Sequence, residues 1–553
     1  MSLRVQWRSM SGRRRWGALA ILALGIAYTL IVPELDRGKL FWNQGAHYAL
    51  VRSLADGKAN IDRYVWQSGD VSYFRGHYYS NKPPGLAFVS LPPYLVLQAA
   101  GAPEKAVKST GSREKGALRI IWVLSIFGVV LPAVLLLMLV RHVAERFEPG
   151  LGTAAAVTLG VGSLVLPFST LYFAHILSAL LGFAAFVVLW RERERSSDLR
   201  LLVAGGLVAG LAVMAEYPLV LVGGVLGLYA VSRRPLWSRG LAYAAGFALG
   251  IVPLLLYQRW AFGSFTHLSY RNDLSFARDI TSGARAVAEG SQGDVGVQGR
   301  GFFGVEVPNG RSALDLLLSS RGLLTLTPVF AAAVVGTILL YRQRRRAEAL
   351  TIGGISLAFL FYNSAFVGTL GGWVPGPRYL IPILPFLGVA LAAAYRRFPG
   401  VSIGLASVSA IVMLAATVTQ PLLPDDDTGR WARRMVDGSF QDTVATWLGA
   451  GNGWLAIAPF LTVIAFALVC CLRATHGLLL SLRDLVWGTA ALAVWLVVAV
   501  LAPIVLRVTD VSSYGILPLL AGAFLLAVLG LLFVIRLGGW ERGEAARSAQ
   551  LPF

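Results

Sequence analysis

Residues 84–101 read PGLAFVSLPPYLVLQAAG, without a single charged side chain. A run of this length can cross a bilayer core of about 30 Å as a helix. Pro84, Pro92 and Pro93 disfavour a straight membrane helix there, because proline lacks a backbone N–H and crowds the preceding turn. Whether this run crosses decides the side on which every later loop lies. With the N-terminus inside and 84–101 not crossing, the basic loops RHVAERF (141–147), RERERSSDLR (191–200), SRRPLWSRG (232–240), RQRRR (342–346) and RRF (396–398) face the cytoplasm. So do Arg473 and the Arg-rich C-terminal tail. If 84–101 crosses, all of them move outside, against the preference of Lys and Arg for cytoplasmic loops. The expectation is that 84–101 lies along, or dips into, the outer interface, which leaves EKAVKSTGSREKG (104–116) outside.

Apolar runs recur on both sides of this stretch. The chain of 553 residues is 56% hydrophobic and only 14% charged, well below the roughly 25% charged residues of soluble domains. Spans are expected near 15–33, 118–140, 151–168, 175–190, 200–215, 217–232, 240–258, 322–341, 349–367, 379–395, 402–421, 453–472, 484–506 and 514–535. The fold class this implies is an all-α polytopic membrane protein of about fourteen transmembrane helices, with interfacial helices in a long first extracytoplasmic loop. Trp16 to Val32 follows Arg13-Arg14-Arg15 and continues into Pro33-Glu34-Leu35-Asp36 with no small-residue cleavage site, so it reads as a retained signal anchor. Both termini are expected inside, in the cytoplasmic membrane. The net charge of +20 sits in the short loops and so points to topology rather than nucleic acid. Cys470 and Cys471 are neighbours within an apolar run and are poorly placed to form a disulfide.

The outer segments 34–117, 259–321, 368–378 and 422–452 are long and the inner loops short, which places the working surface outside. Residues 43–55, NQGAHYALVRSLA, carry apolar residues at Tyr48, Leu50, Val51 and Leu54 and read as an amphipathic helix on the bilayer surface. NIDRYVWQSGDVSYFRGHYYSNKPPG (60–85) follows, with Asp62 and Asp70 among aromatic residues, then His77, Tyr78, Tyr79 and Lys82. A carboxylate among aromatics is partly desolvated, and its raised pKa suits it to take a proton from a hydroxyl. Lys82 before Pro83-Pro84 is a cation fixed near the surface and suited to a lipid phosphate. The plainer reading is an interfacial aromatic belt with a snorkelling lysine and solvated aspartates. Asp425-Asp426-Asp427 is a possible divalent-cation site but more commonly a solvated turn. No phosphate-binding glycine loop and no zinc-type Cys/His spacing occurs.

The order of these features resembles the GT-C superfamily of membrane glycosyltransferases, in particular its protein O-mannosyltransferase and aminoarabinose-transferase branch. The resemblance rests on a first span, a surface helix and then Gly76-His77-Tyr78-Tyr79-Ser80-Asn81-Lys82-Pro83-Pro84. Where that family carries an acidic pair, this chain has Asn43-Gln44, which cannot act as bases. Further similar stretches are PFSTLYFAH (167–175) with His175, GLAVMAEYP (210–218) with Glu216, RGLLTLTP (321–328), and GGWVPGPRYLIPILPFL (371–387) with Arg378.

The resemblance implies an inverting transfer of a monosaccharide from a polyprenyl-phosphate donor to a hydroxyl of a glycan, lipid or protein. It implies a catalytic module over residues 1–400, its site in the outer loop 34–117, and further spans over 401–553 with an outer loop at 422–452. Lys82 and Arg378 would hold the lipid phosphate. Asn43, Gln44, His77, Tyr78, Tyr79, His175 and Glu216 would line the pocket. With Asn43-Gln44 in place of the acids, the base falls to Asp70, Asp62 or Asp36. Asp70 ranks first because no ionisable residue lies within four positions of it; Asp62 neighbours Arg63, and Asp36 neighbours Arg37 and Lys39. No cofactor or metal is required, since two cations already neutralise the phosphate. Rival classes are a lipid or saccharide transporter or flippase, which would carry its ionisable residues mid-span, and an inactive accessory protein, which the Asn43-Gln44 departure favours. If the parity of crossings is right, Lys105→Cys reacts with a membrane-impermeant thiol reagent in intact cells. Protection of that cysteine would reverse the topology.

Overall fold

The computed structural model describes residues 12–36, 39–194, 198–274, 305–366, 368–423, 427–476, 478, 480–505 and 515–538. Helices occupy each of the apolar runs named above. Among the described residues, seven helices are by themselves long and apolar enough to cross a membrane: Arg113–Phe147, His175–Glu194, Leu236–Phe262, Arg378–Arg397, Pro399–Thr419, Trp454–Ala474 and Leu482–Val505. Two bent pairs raise the number to as many as nine. Gly152–Val161, Leu199–Ala215 and Tyr217–Val231 are apolar but shorter. The chain is an integral membrane protein in which, among the described residues, seven to nine spans are long and apolar enough to cross.

The run 85–99 is one helix, Gly85–Ala99, that continues through Pro92 and Pro93. It ends where Gly101 adopts φ +65°, a left-handed conformation that glycine reaches without a Cβ clash. A bend of 73° leads into Ala102–Thr110. Ser112 then accepts a hydrogen bond from the Lys115 N–H and starts the 35-residue helix Arg113–Phe147. At 1.5 Å per residue that helix is about 50 Å long, well beyond a bilayer core of about 30 Å. Gly85–Ala99 packs on its first half: Leu86 and Ser90 lie against Gly128, and Gly85 lies against the backbone of Ala215.

The most extensive helix pairing among the described residues joins Leu199–Ala215 to Leu236–Phe262. Each carries two glycines four residues apart, Gly206 and Gly210 on one, Gly246 and Gly250 on the other. A Cβ on any of them would overlap a carbonyl of the facing helix, those of Tyr243, Phe247, Val203 and Leu207 respectively. Small residues at this spacing let helix backbones touch where apolar surroundings give no hydrophobic drive to association. The ends of the helices that carry the basic loops are tied by ion pairs. Arg239 and Glu192, both buried, meet at 2.6 Å, Arg396 meets Glu148 at 3.2 Å and Arg345 meets Glu194 at 2.8 Å.

The segment between the first helix and Gly85–Ala99 carries two short hairpins. Leu35–Asp36 pairs antiparallel with Lys39–Leu40. Val71–Phe74 pairs with His77–Ser80 through a tight turn in which Arg75 and Gly76 both have positive φ, 49° and 86°. That combination matches the right-handed twist of the flanking strands. Ser269–Asn272 docks on this hairpin: Tyr217 and Ser269 hydroxyls meet at 3.0 Å, and the Asn81 amide donates to Asp273 at 2.9 Å. Gly246→Ala is expected to lower the melting temperature in detergent, with an overpacking cost of about 1–3 kcal/mol or more. Gly224→Ala, whose Cβ meets nothing within 4 Å, leaves it unchanged or raised. Equal behaviour of the two variants would show that the glycine contact is not close.

Candidate active site

The helix Trp42–Ala55 is not spread over the bilayer surface. From Asn43 to Val51 every residue is buried inside the protein, and Trp42 is the large apolar side chain left exposed. Its first turn is fastened by Gln44, whose amide donates to the Glu34 carbonyl at 2.9 Å and whose oxygen accepts from the Tyr172 N–H at 3.0 Å. Gln44 thus clamps the segment before His175 to the backbone at Glu34. Asn43 and His47 lie one turn apart on the same helix, and both are buried.

Asp70 and Lys82 flank the open end of the second hairpin. Ser68 accepts from the Asp70 N–H at 2.9 Å and the Ser80 hydroxyl accepts from the Lys82 N–H at 3.2 Å. The two side chains meet at 2.8 Å, being 14% and 12% exposed. Asp70, which has no charged neighbour in sequence, is therefore ion-paired in the fold, with a partner that the hairpin register brings across.

Three more segments converge here. His175 begins the helix His175–Glu194, and its Nδ1 lies 3.3 Å from a carboxylate oxygen of Glu216. Glu216 caps Leu199–Ala215 in extended conformation and is 9% exposed. Burial pushes its carboxyl up from 4.5 to about 7, even though Lys82 and Arg378 oppose the shift. Arg378 starts the last segment: its guanidinium donates to the Tyr379 hydroxyl at 3.0 Å and lies over the rings of Tyr379 and Phe173. Gly371, at φ +84°, leaves room for the Arg378 side chain, which a Cβ there would strike. Arg321 of RGLLTLTP donates to the carbonyls of Gly372 and Val374 at 2.7 and 3.1 Å, so it holds the loop that carries Arg378. His47 lies within reach of the charges of Lys82, Asp70 and Arg378, and burial beside the two cations lowers its pKa to about 3. It is a neutral imidazole at physiological pH.

Asp70, Lys82, Arg378, Glu216, His175 and His47 lie within one another's electrostatic reach, with Asn43 one turn from His47 and Gln44 bonded to the segment before His175. Asp62 is not among them. It accepts hydrogen bonds at 2.7 Å from His77 Nδ1 and from the Tyr78 N–H, 39% exposed on the outer edge of the hairpin. Its neighbour Arg63 pairs instead with Asp56 at 3.4 Å. His77 and Tyr78 belong to that edge, and Tyr79 packs on Phe262 with ring centroids 4.7 Å apart. Asp36 takes part in the first hairpin opposite Lys39; its side chain lies outside the described residues. Asp427 accepts from the Gly429 N–H at 3.0 Å and pairs with Arg433, while Asp425 and Asp426 lie outside the described residues. The sequence reading missed His47, Tyr172, Tyr379 and Arg321. His47 had a signal, its place one helical turn after Asn43.

An integral membrane protein with a largely buried cluster of mixed charge where several helix ends and loops meet is what the fold and site define. Among solved structures the chain is similar to ArnT from Cupriavidus metallidurans bound to undecaprenyl phosphate. That match has 16% identity and a TM-score of 0.44, over 96% of this chain and 77% of that one. It is also similar to the oligosaccharyltransferase AglB from Archaeoglobus fulgidus in complex with an inhibitory peptide and a dolichol-phosphate. There the identity is 12% and the TM-score 0.41, over 83% of this chain and 55% of that one. No family model matches the chain, and no curated protein does.

An acid with a raised folded-state pKa holds its proton in the fold at pH values where the unfolded chain has lost it. Glu216 therefore weakens the fold progressively as pH rises from about 4.5 to about 7, on the order of 3 kcal/mol for that shift. Glu216→Gln keeps an amide toward His175 and removes this effect. Its stability relative to the native chain is expected to increase between pH 4 and pH 8 in thermal unfolding. A pH-independent difference would show that the Glu216 carboxyl titrates alike in the folded and the unfolded chain.

Proposed function

We propose that this chain is a glycosyltransferase that moves a monosaccharide from a polyprenyl-phosphate donor to an acceptor hydroxyl on the extracytoplasmic side, with inversion. The observation that carries the reading is the buried Asp70–Lys82 pair in a pocket that also holds Arg378. A carboxylate and two cations are what a one-step displacement of a phosphate leaving group requires. Lys82 and Arg378 take the donor phosphate. Its oxygens compete with Asp70 for the ammonium, so donor binding releases the carboxylate at the moment a base is needed. Asp70 then removes the acceptor hydroxyl proton as that oxygen forms its bond to the anomeric carbon. The bond from the anomeric carbon to the phosphate oxygen breaks, and the electron pair leaves with the lipid phosphate, between Lys82 and Arg378.

The acceptor is a glycan, lipid or protein, and no metal enters the displacement. Residues 1–400 form the catalytic module and 401–553 add helices around it. Both termini lie in the cytoplasm, and the shorter apolar helices complete a set of about fourteen crossings in the cytoplasmic membrane. Transport is the weaker reading, because the titratable cluster is gathered from helix ends and outer loops.

The direct test is turnover of a polyprenyl-phosphate monosaccharide by the purified protein, measured as release of polyprenyl phosphate. Lys82→Ala and Arg378→Ala are expected each to weaken donor binding by about 1.5–3 kcal/mol while the protein stays folded. Asp70→Asn is expected to abolish transfer yet keep or tighten donor binding, because the amide no longer competes for Lys82. Near-normal turnover by Asp70→Asn would remove it as the base and leave Asp62, Asp36 and then Glu216 as successors.

A further inference from the structure

Four buried polar atoms at this site have no hydrogen-bond partner among the described residues: Asn43 Oδ1, His47 Nδ1, His175 Nε2 and Arg378 Nε. Folded proteins leave few such atoms, and those they leave call for an explanation. Here they come from three separate segments. Asn43 and His47 share one face of the helix Trp42–Ala55. The His47 ring meets Tyr172 edge-on at 6.1 Å, and Tyr172, fixed by Gln44, is three residues before His175. The other nitrogen of His175 is taken by Glu216 at 3.3 Å, which sets the orientation of the ring. Asn43, His47 and His175 are 5%, 1% and 3% exposed, too deep to be solvated as surface groups are.

We propose that Asn43, His47 and His175 form a sugar subsite that hydrogen-bonds the hydroxyl groups of an uncharged monosaccharide. This rests on the glycosyltransferase reading and adds to it the place and class of the sugar. A hydroxyl both donates and accepts, as does a neutral imidazole with its two unlike nitrogens, while the Asn43 oxygen only accepts. The set therefore complements hydroxyls. A sugar carboxylate brings acceptors alone, so it leaves the Asn43 oxygen unanswered and sets a negative charge near the Glu216 carboxyl. Lys82 and Arg378, the cations close by, are engaged by the phosphate. The low pKa of His47 agrees with an imidazole that stays neutral and so offers a carboxylate no charge.

The test compares three probes on the purified full chain: polyprenyl phosphate alone, its uncharged hexosyl derivative, and its uronosyl derivative. The native protein is expected to bind the hexosyl lipid at least about tenfold more tightly than the uronosyl lipid. Asn43→Ala and His47→Ala are each expected to reduce that preference about tenfold while binding polyprenyl phosphate as the native chain does, which also shows that they fold. Where His47→Ala fails to fold, His47→Asn, a smaller neutral polar group, takes its place. A preference that survives in these variants, or a native protein that favours the uronosyl lipid, overturns the subsite. A native protein that does not bind polyprenyl phosphate at all overturns the glycosyltransferase reading, and the subsite with it.

Discussion

A carboxylate and an ammonium, each about seven-eighths buried, face one another at 2.8 Å where the second outer hairpin opens. Neither charge is tolerable at that depth alone, since removing an ion from water without a partner costs several kcal/mol. The pair therefore fixes how the hairpin leaves the first outer loop and how Pro83-Pro84 leads into Gly85–Ala99. That helix then sets its first turn against Ala215, next to Glu216, and against the middle of the long helix at Gly128. Much of the outer architecture follows from pairing two ions that their strands hold twelve residues apart.

The sequence carried the fold class because apolar runs and basic loops are local signals. Among the described residues, seven to nine helices are long and apolar enough to cross. Several apolar runs become short helices such as Gly152–Val161, and apolarity in sequence does not reveal where a helix ends. The prolines at 92 and 93 do not interrupt the helix Gly85–Ala99, which is bent by 73° from Ala102–Thr110. A proline pair disfavours a helix by its own chemistry, yet packing against Arg113–Phe147 carries the helix through both.

At the site, legibility followed sequence separation. Asp70 and Lys82 could be set in one loop because both lie in a contiguous motif. Their direct pairing was hidden, because it depends on hairpin register. His175 and Glu216 were noticed singly as ionisable groups at span ends, and nothing in the chain announced that the helices His175–Glu194 and Leu199–Ala215 bring one back to the other. Asp62 was set second to Asp70 because of Arg63 beside it; in the fold its partner is His77 of the second hairpin, and Arg63 pairs with Asp56. Asn43-Gln44 stood out in the sequence only as a pair that cannot act as bases, and Gln44 has a structural part. Gln44 uses both ends of its amide, donating to one chain segment and accepting from another, which a carboxylate cannot do.

The backbone contact between Leu199–Ala215 and Leu236–Phe262 has a consequence for how this protein can change. Glu216 follows the first helix directly, and Phe262 at the end of the second stacks on Tyr79 of the hairpin. The contact that aligns them contains no side chain, so it has no volume to trade. In an ordinary core a larger residue in one place can be offset by a smaller one opposite. Here the opposing atoms are carbonyl oxygens, which no substitution can shrink. The spacing between these two helices therefore cannot be adjusted by exchanging one side chain for another.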